Sequence, residues 1–316
     1  MPSLAEKGRD EVRAALTRHG PTGGLRLHLG PYVARIRSPL PAVAGAVASL
    51  YRHHTVADDS CFVDFDVAVR RPRSLRALWR PQVVFEFEGE EPFNPLPGDQ
   101  GFPLLEWGLN WCVYGLCHQH MTLHSAVLER NGRAVLLPAP SGSGKSTLCA
   151  ALVFSGWRLL SDELALIAPQ TGELLPLPRP VSLKNASIEV IRLFAPQVEF
   201  GSTVEETAKG VVAHFPPPAS AVQASQQRAV PGWVIFPKYV EGAPARLVPM
   251  ERAQSFMRLI ENAFNYDVFG GEGFELLGSV VDRSLCYSFE YGDLAEAMAL
   301  FDRLARGERG ERGERA

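Results

Sequence analysis

The chain has no run of the ~18 consecutive apolar residues that a bilayer span requires, so no membrane segment is expected. Its N-terminus, MPSLAEKGRDEVRAAL, scatters charges and has no apolar centre, which speaks against a secretory signal. Cysteines are few, five in all, odd in number and widely spaced. A disulfide framework is therefore not expected, and a reducing cytoplasm is the expected location. An excess of basic residues is also lacking: 32 Lys and Arg stand against 35 Asp and Glu, for a net charge of −3. That balance lacks the electrostatic footprint of a nucleic-acid binder, so no nucleic-acid partner is expected. It leaves nucleotides open, since they need only a local positive site.

What is there is ordinary globular material, 46% hydrophobic and 21% charged over 316 residues. Global disorder is excluded by that mixture. The length fits two domains, or one large domain with a smaller attachment. Residues 4–18 read as a short amphipathic helix. LRLHLG (25–30) and YVARIR (32–37) alternate like the strands of a hairpin, 41–51 reads as a helix, and 61–69 and 83–90 alternate again as strands do. EPFNPLPGDQGFP (91–103) is rich in Pro and Gly and reads as a linker. The expected division is therefore a small N-terminal α+β module at 1–98, a catalytic domain at 99–305 and a disordered Gly-Glu-Arg tail at 306–316.

Within the second part, 104–120 reads as an apolar helix. MTLHSAVLER and RAVLLPA follow as a strand pair turned at Asn131-Gly132, a strong short hairpin signal. A helix is expected at 145–155, and two short strands over 157–167 around an acidic pair. The region 181–215 is mixed, with a helix at 186–194, and 216–227 is a polar loop. Strands are expected at 232–239, 246–250 and 285–292, with helices at 251–263, 273–281 and 293–305.

The chemistry begins at Ala139-Pro140-Ser141-Gly142-Ser143-Gly144-Lys145-Ser146-Thr147. From Gly142 onward this reads as a Walker A loop, with Ala139 where the first Gly usually stands. An apolar strand enters and an apolar helix leaves, as the motif requires. Glycines let successive N–H groups curl into a concave anion site, and the helix N-terminus adds its own N–H groups and dipole. Lys145 can reach the outer phosphates, and the Ser146 hydroxyl is a hard oxygen donor suited to Mg²⁺. The plain alternative is a Gly/Ser loop that only begins a helix.

Phosphoryl transfer also needs carboxylates near the phosphates, to hold Mg²⁺ or to accept a hydroxyl proton. Asp162-Glu163 interrupts an apolar run (Leu159, Leu160, Leu164, Leu166) and is the best candidate; the alternative is a solvated turn. His124 lies on the strand before the hairpin. A lone strand histidine is usually structural, but beside a phosphate loop it can meet a phosphate or a carboxylate. Cys112, Cys117, His118 and His120 do not read as a zinc site, because the helical spacing turns the two cysteines apart. Trp107, Trp111 and Tyr114 read as core rather than as a platform for a base.

In this order, His124, Ser141–Ser146 and Leu159-Leu160-Ser161-Asp162-Glu163 resemble the HPr kinase/phosphorylase family. LHSAVLERNGRAVLLPAPSGSGKSTL, LLSDEL and PRPVSLKN are most similar to the branch called HprK-related kinase A. The resemblance is close over about 120–190 and extends to about 305; the first hundred residues match the family poorly. It implies an α/β (α+β) fold whose P-loop kinase core is like that of HPr kinase and phosphoenolpyruvate carboxykinase. It further implies ATP and Mg²⁺ as cofactors, and a serine kinase acting on a hydroxyl of a peptide or protein. By that resemblance Ser141, Gly142, Ser143, Gly144, Lys145, Ser146 and Thr147 bind the nucleotide. Ser146, Asp162 and Glu163 hold metal, Glu163 standing where the family has a second Asp. Asp162 accepts the proton of the attacking hydroxyl, and Lys145 and His124 complete the catalytic set.

Arg179 and Lys184 are candidate phosphate contacts, with Lys184 the better one, although they and Lys209 read first as surface charges. The family's usual C-terminal signature that engages HPr is missing, so the expected acceptor is another Ser/Thr hydroxyl. The resemblance also points to a homo-oligomer. A small-molecule hydroxyl kinase and a non-catalytic nucleotide-binding regulator are the competing readings.

Overall fold

The alternating stretches become strands in the computed structural model, which describes residues 3–18, 20, 23–73, 79–140 and 142–307. The chain divides into two units: Met1–Leu116, Pro178–Ile188 and Glu199–Gln226 form the first, and Cys117–Leu177, Glu189–Val198 and Gln227–Ala316 the second. The expected boundary at residue 98 lies inside the first unit. Most of the expected tail, 308–316, lies outside the described residues.

The first unit opens with a 3-10 turn, Leu4–Glu6, and α1 (Arg9–Thr17). The hairpin β1 (Leu25–Leu29) and β2 (Tyr32–Arg37) follows. Next come α2 (Pro41–Leu50), β3 (Phe65–Arg70), β4 (Gln82–Phe87), β5 (Leu96–Pro97) and α3 (Gly101–Leu116). The five strands pair in the order β1-β2-β3-β4-β5, with β2 and β3 parallel and the other pairs antiparallel. The Pro/Gly-rich stretch is thus not a linker. It supplies β5 and the start of α3, whose Leu104, Leu105 and Leu109 are buried. Gly108 makes this docking possible, because a Cβ there would lie 2.1 Å from the Phe85 ring of β4.

The second unit begins with β6 (Met121–Arg130) and β7 (Arg133–Pro138). Asn131 and Gly132 turn between them at φ of 56° and 79°, the left-handed pair that a two-residue hairpin turn demands. Then come α4 (Lys145–Phe154), β8 (Arg158–Ser161), β9 (Leu164–Ile167) and β10 (Leu174–Leu175). The chain next returns to the first unit with β11 (Val181–Lys184); α5 (Ala186–Phe194) follows, and then β12 (Val204–Thr207), β13 (Gly210–Phe215) and the short α6 (Ala219–Gln223). β11, β13 and β12 form a three-stranded antiparallel sheet where the sequence read only as mixed.

β14 (Val230–Tyr239), β15 (Arg246–Pro249), α7 (Arg252–Glu261), α8 (Tyr266–Arg283), β16 (Leu285–Tyr291) and α9 (Leu294–Ala305) complete the second unit. Its sheet runs β10-β9-β6-β7-β14-β16-β15, with β8 also paired to β6. β7, β14 and β16 are parallel neighbours, so their C-terminal ends emerge together. Period-two alternation buries both sheet faces. Val127, Leu136, Val234 and Phe236 pack with Leu259 of α7 and Leu277 and Val280 of α8. Trp233 meets Trp157, and Phe289 and Trp157 meet Phe301 of α9. No helix among the described residues is long and apolar enough to cross a membrane.

The first unit carries a buried polar network. The Tyr51 hydroxyl donates to Glu106, whose carboxylate lies 3.8 Å from Arg179. His54 is buried between the Pro178 carbonyl, 2.8 Å from Nε2, and the Tyr51 carbonyl, 3.3 Å from Nδ1. Burial pulls its pKa from 6.5 down to about 4, against the opposing pull of those carbonyls. The folded state thus prefers neutral His54. Its contribution is fully present above pH 6.5 and is lost as pH falls toward 4, by about 1.4 kcal/mol per pH unit. Urea unfolding at pH 7 and pH 5 should show a lower midpoint at pH 5. His54→Gln, which keeps a donor for Pro178, should flatten that difference; an unchanged difference would acquit His54.

Candidate functional site

The glycine-rich loop joins the end of β7 to the start of α4. Ser141 lies outside the described residues. Gly142 and Gly144 both have φ of 87°, a conformation that side-chain-bearing residues rarely adopt. Gly144 is also sterically required, since a Cβ would lie 2.6 Å from the Tyr291 hydroxyl and 2.9 Å from Tyr239 Cβ. The loop is held from behind by the ends of β14 and β16. The Tyr239 N–H donates to the Ser143 carbonyl at 2.9 Å, and the Tyr291 hydroxyl donates to the Gly144 carbonyl at 3.0 Å. In a trans peptide the N–H points opposite to the C=O. The amides of Gly144 and Lys145 therefore aim away from those strands, at the N-terminus of α4. Burial, then Tyr239 nearby, hold the Tyr291 phenol well above its ordinary range, so it stays a donor at working pH.

α4 begins with Lys145, which is buried; Ser146 and Thr147, half-buried, complete its first turn. Gly144 as N-cap offers no side chain to the helix, and the first turn holds no acidic residue. The helix dipole there favours an anion.

The acidic pair occupies the handover from β8 to β9. Both strands pair antiparallel with β6 in succession: Ser161 stands opposite Val127, and Leu164 opposite His124. Asp162-Glu163 spans the gap between these pairings with no change of register, the irregularity lying one step earlier between Val127 and Leu128, and the Ser125 N–H donates to the Glu163 carbonyl at 3.1 Å. Ser125 in turn pairs with Pro138, where β7 gives way to the loop. This places the acids beside the loop's entrance. Asp162 is only 5% exposed, so the solvated-turn alternative does not describe it. Burial, then the Asp162 carboxylate, push the Cys149 thiol well above its ordinary range, while Lys145 pulls it the other way. One thiol on α4 thus feels both the acid and the base. Glu163 is 24% exposed, and its carboxylate lies 3.8 Å from His124 Nε2. The His124 backbone N–H donates to the Asn262 carbonyl at 2.7 Å.

A cavity of about 830 Å³ opens along the loop from Pro138 to Ser143. Its walls include Phe236, Phe289 and Asn262, with Lys238, Arg246 and Arg258 as cations and Glu261 and Glu290 as anions. Arg258 stacks over Phe236 at 5.2 Å. None of these residues was legible as a site in the sequence. They come from β14, β15, α7 and β16, and only the sheet order brings them to the loop.

Arg179, Lys184 and Lys209 belong to the first unit. Arg179 is not a surface charge: it is 7% exposed, ion-paired with Glu106, and donates to Asn110. Lys184 ends β11, where its backbone N–H donates to the Ser187 hydroxyl oxygen at 2.9 Å. Lys209 lies over the Trp107 ring at 5.1 Å.

The class these features define is a mixed α/β protein of several sheets, with a glycine-rich loop at a helix N-terminus and a buried acid beside it. A family described as SynChlorMet cassette protein ScmC matches residues 108–183, a stretch that holds His124, the loop and Asp162-Glu163. That description differs from the HPr kinase-related family expected from the motifs. No curated protein matches the chain. Among solved structures, the Hpr(Ser) kinase/phosphatase from Coxiella burnetii is similar over 59% of this chain and 98% of that one, at 12% identity and a TM-score of 0.25. That is a distant structural relationship.

Proposed function

We propose that the second unit is an ATP- and Mg²⁺-dependent phosphotransferase of the HprK-related kind, acting on a Ser/Thr hydroxyl of a peptide or protein other than HPr. One observation carries the reading: Ser125 of β6 pairs with Pro138 at the entrance of the loop and donates to the Glu163 carbonyl, which sets buried Asp162 beside the loop whose far end, buried Lys145, opens α4. A cation for phosphates and an acid for a hydroxyl thus share one small neighbourhood.

In this reading the amides of Gly142 to Lys145 cradle the outer phosphates, with the α4 dipole and the Lys145 ammonium opposing their charge. Asp162 accepts the proton of the attacking hydroxyl. Glu163, with His124 at 3.8 Å, orients the acid pair. The donor set fits a hard cation. Among the described residues no group of three or more His, Cys, Asp or Glu side chains could hold a metal by itself. Mg²⁺ does not need one, since it takes one or two carboxylates, a hydroxyl, water and the phosphates themselves. Ser146, Asp162 and Glu163 would hold it, and it would neutralise charge between the outer phosphates. Arg179, ion-paired with Glu106 within the first unit, is left out of this set.

The test is incubation of the protein and γ-labelled ATP with a cell lysate and with hydroxyl-bearing small molecules. Label in a protein band, on Ser or Thr by mass spectrometry, is expected. Label only in small molecules would move the acceptor to that class, and none at all would end the kinase reading.

A further inference from the structure

The proposed nucleotide needs a place for its base as well as for its phosphates. We infer that Tyr239 is that place: a stacking platform for the base of the nucleotide whose phosphates the loop holds. This rests on the phosphotransferase reading above.

Three observations converge on Tyr239. The first is polarity. In the sheet of the second unit, β6 and β8, with the acid pair, lie on one flank of β7, and β14 and β16 on the other. A phosphoryl group that reacts near Asp162 puts the nucleoside end on the opposite flank. Tyr239 is the last residue of β14 and stands there, paired in register with Tyr291, the last of β16.

The second is attachment. Its own N–H is bonded to the Ser143 carbonyl, and its Cβ crowds the position a Cβ on Gly144 would take. The ring is therefore fixed to the loop's own frame rather than carried on a separate segment.

The third is exposure. Tyr239 is 50% exposed, while its neighbour Tyr291 is 1% exposed. Tyr291 lies stacked on Phe289 at 5.1 Å and 8°, and Tyr239 meets it edge-on at 5.7 Å and 73°. The inner aromatic is spent on packing; the outer one rests edge-on against it yet keeps half its surface in solvent. A large aromatic ring fixed this way suits the π-face of a base. Stacking of this kind tolerates any base, so it provides affinity without choosing between purines. Trp157 and Trp233, large rings of the same unit that lie under Arg130 and Arg133, are buried at 2% and 3% exposed and offer no open face.

The experiment uses the full chain and two probes, ATP and inorganic tripolyphosphate, each with Mg²⁺, in calorimetric titration. Tyr239→Ala should weaken ATP by about five- to a hundredfold and leave tripolyphosphate unchanged. Tyr239→Phe should retain ATP affinity, and GTP should respond as ATP does. Tyr239→Leu, which keeps bulk against Tyr291 without a π-face, gives the same reading should the alanine variant not fold. Unchanged ATP affinity in the alanine or leucine variant would overturn the platform. So would an equal loss of both probes, since Tyr239 would then merely shape the loop. If the wild type binds tripolyphosphate but gains nothing from the nucleoside, the platform fails while the loop stands. If it binds neither, the phosphotransferase reading fails and takes the platform with it.

Discussion

Lys145→Ala is expected to weaken Mg-ATP binding by roughly ten- to a hundredfold, the loss of one charge-assisted contact worth about 1.5–3 kcal/mol. The position of the side chain drives the expectation. Lys145 opens α4, is 6% exposed, and follows two glycines in left-handed conformation. A cation held out of water interacts more strongly with phosphate than an exposed one. Because the site is buried, alanine also removes packing, so Lys145→Met is the companion variant: it keeps most of the apolar stem and removes only the charge. Both should lose affinity alike. Calorimetric titration of wild type and both variants decides it, with thermal melting run alongside. Equal affinities in all three would remove the loop from the nucleotide site. A loss in Ala but not in Met would assign the effect to packing.

The loop could be read from the sequence because its constraint is local. Gly142 and Gly144 are needed where φ is positive, and Lys145 follows where the helix starts, so three positions within a run of four carry the geometry. The hairpin was legible for the same reason: Asn131-Gly132 fixes its own turn. Asp162 was visible because a charge interrupts an apolar run, and the structure adds that this charge is buried. The remaining elements of the site depend on sheet order, which no local pattern encodes. Tyr239 and Tyr291 end two strands more than 45 residues apart and meet only because β14 and β16 pair in parallel register. Their signal in the sequence, an aromatic at a strand end, is too common to select them.

The division of the chain was illegible for a related reason. Pro and Gly at 91–103 look like a linker when counted as composition, yet here they supply an edge strand and a helix start. The Gly108–Phe85 approach that docks α3 is a single absent methyl group and leaves no trace in hydrophobic periodicity. The three-stranded sheet of β11, β12 and β13 was missed because its strands are four to six residues long and one pair carries a register shift. Arg179 misled in the other direction. An arginine between prolines reads as surface, but Glu106 and Asn110 make its burial affordable.

Asp162→Asn is expected to separate chemistry from binding. If Asp162 accepts the proton of the attacking hydroxyl, its contribution is made in the transition state, and asparagine keeps its size and hydrogen bonding while refusing the proton. ATP affinity should then change by no more than a few-fold, because Lys145, Ser146 and the loop amides remain. Phosphate transfer should fall by roughly 10²–10⁴-fold, the usual weight of general base catalysis. Burial sharpens the test. At 5% exposure Asp162 has little water to take over its role, so a bystander and a base should not look alike. A metal-holding role has its own signature: the rate of the variant would recover in part as Mg²⁺ is raised, and the wild type would saturate at lower Mg²⁺. The measurement is transfer rate against Mg²⁺ concentration for both proteins, with ATP affinity measured in parallel. Glu163→Gln serves as a comparison, since Glu163 lies farther out and against His124. Its loss should be smaller and should not remove the rate at high Mg²⁺. An Asp162→Asn protein that transfers phosphate at the wild-type rate at every Mg²⁺ level would remove the general base, and with it the reason to group the acid pair with the loop as one site.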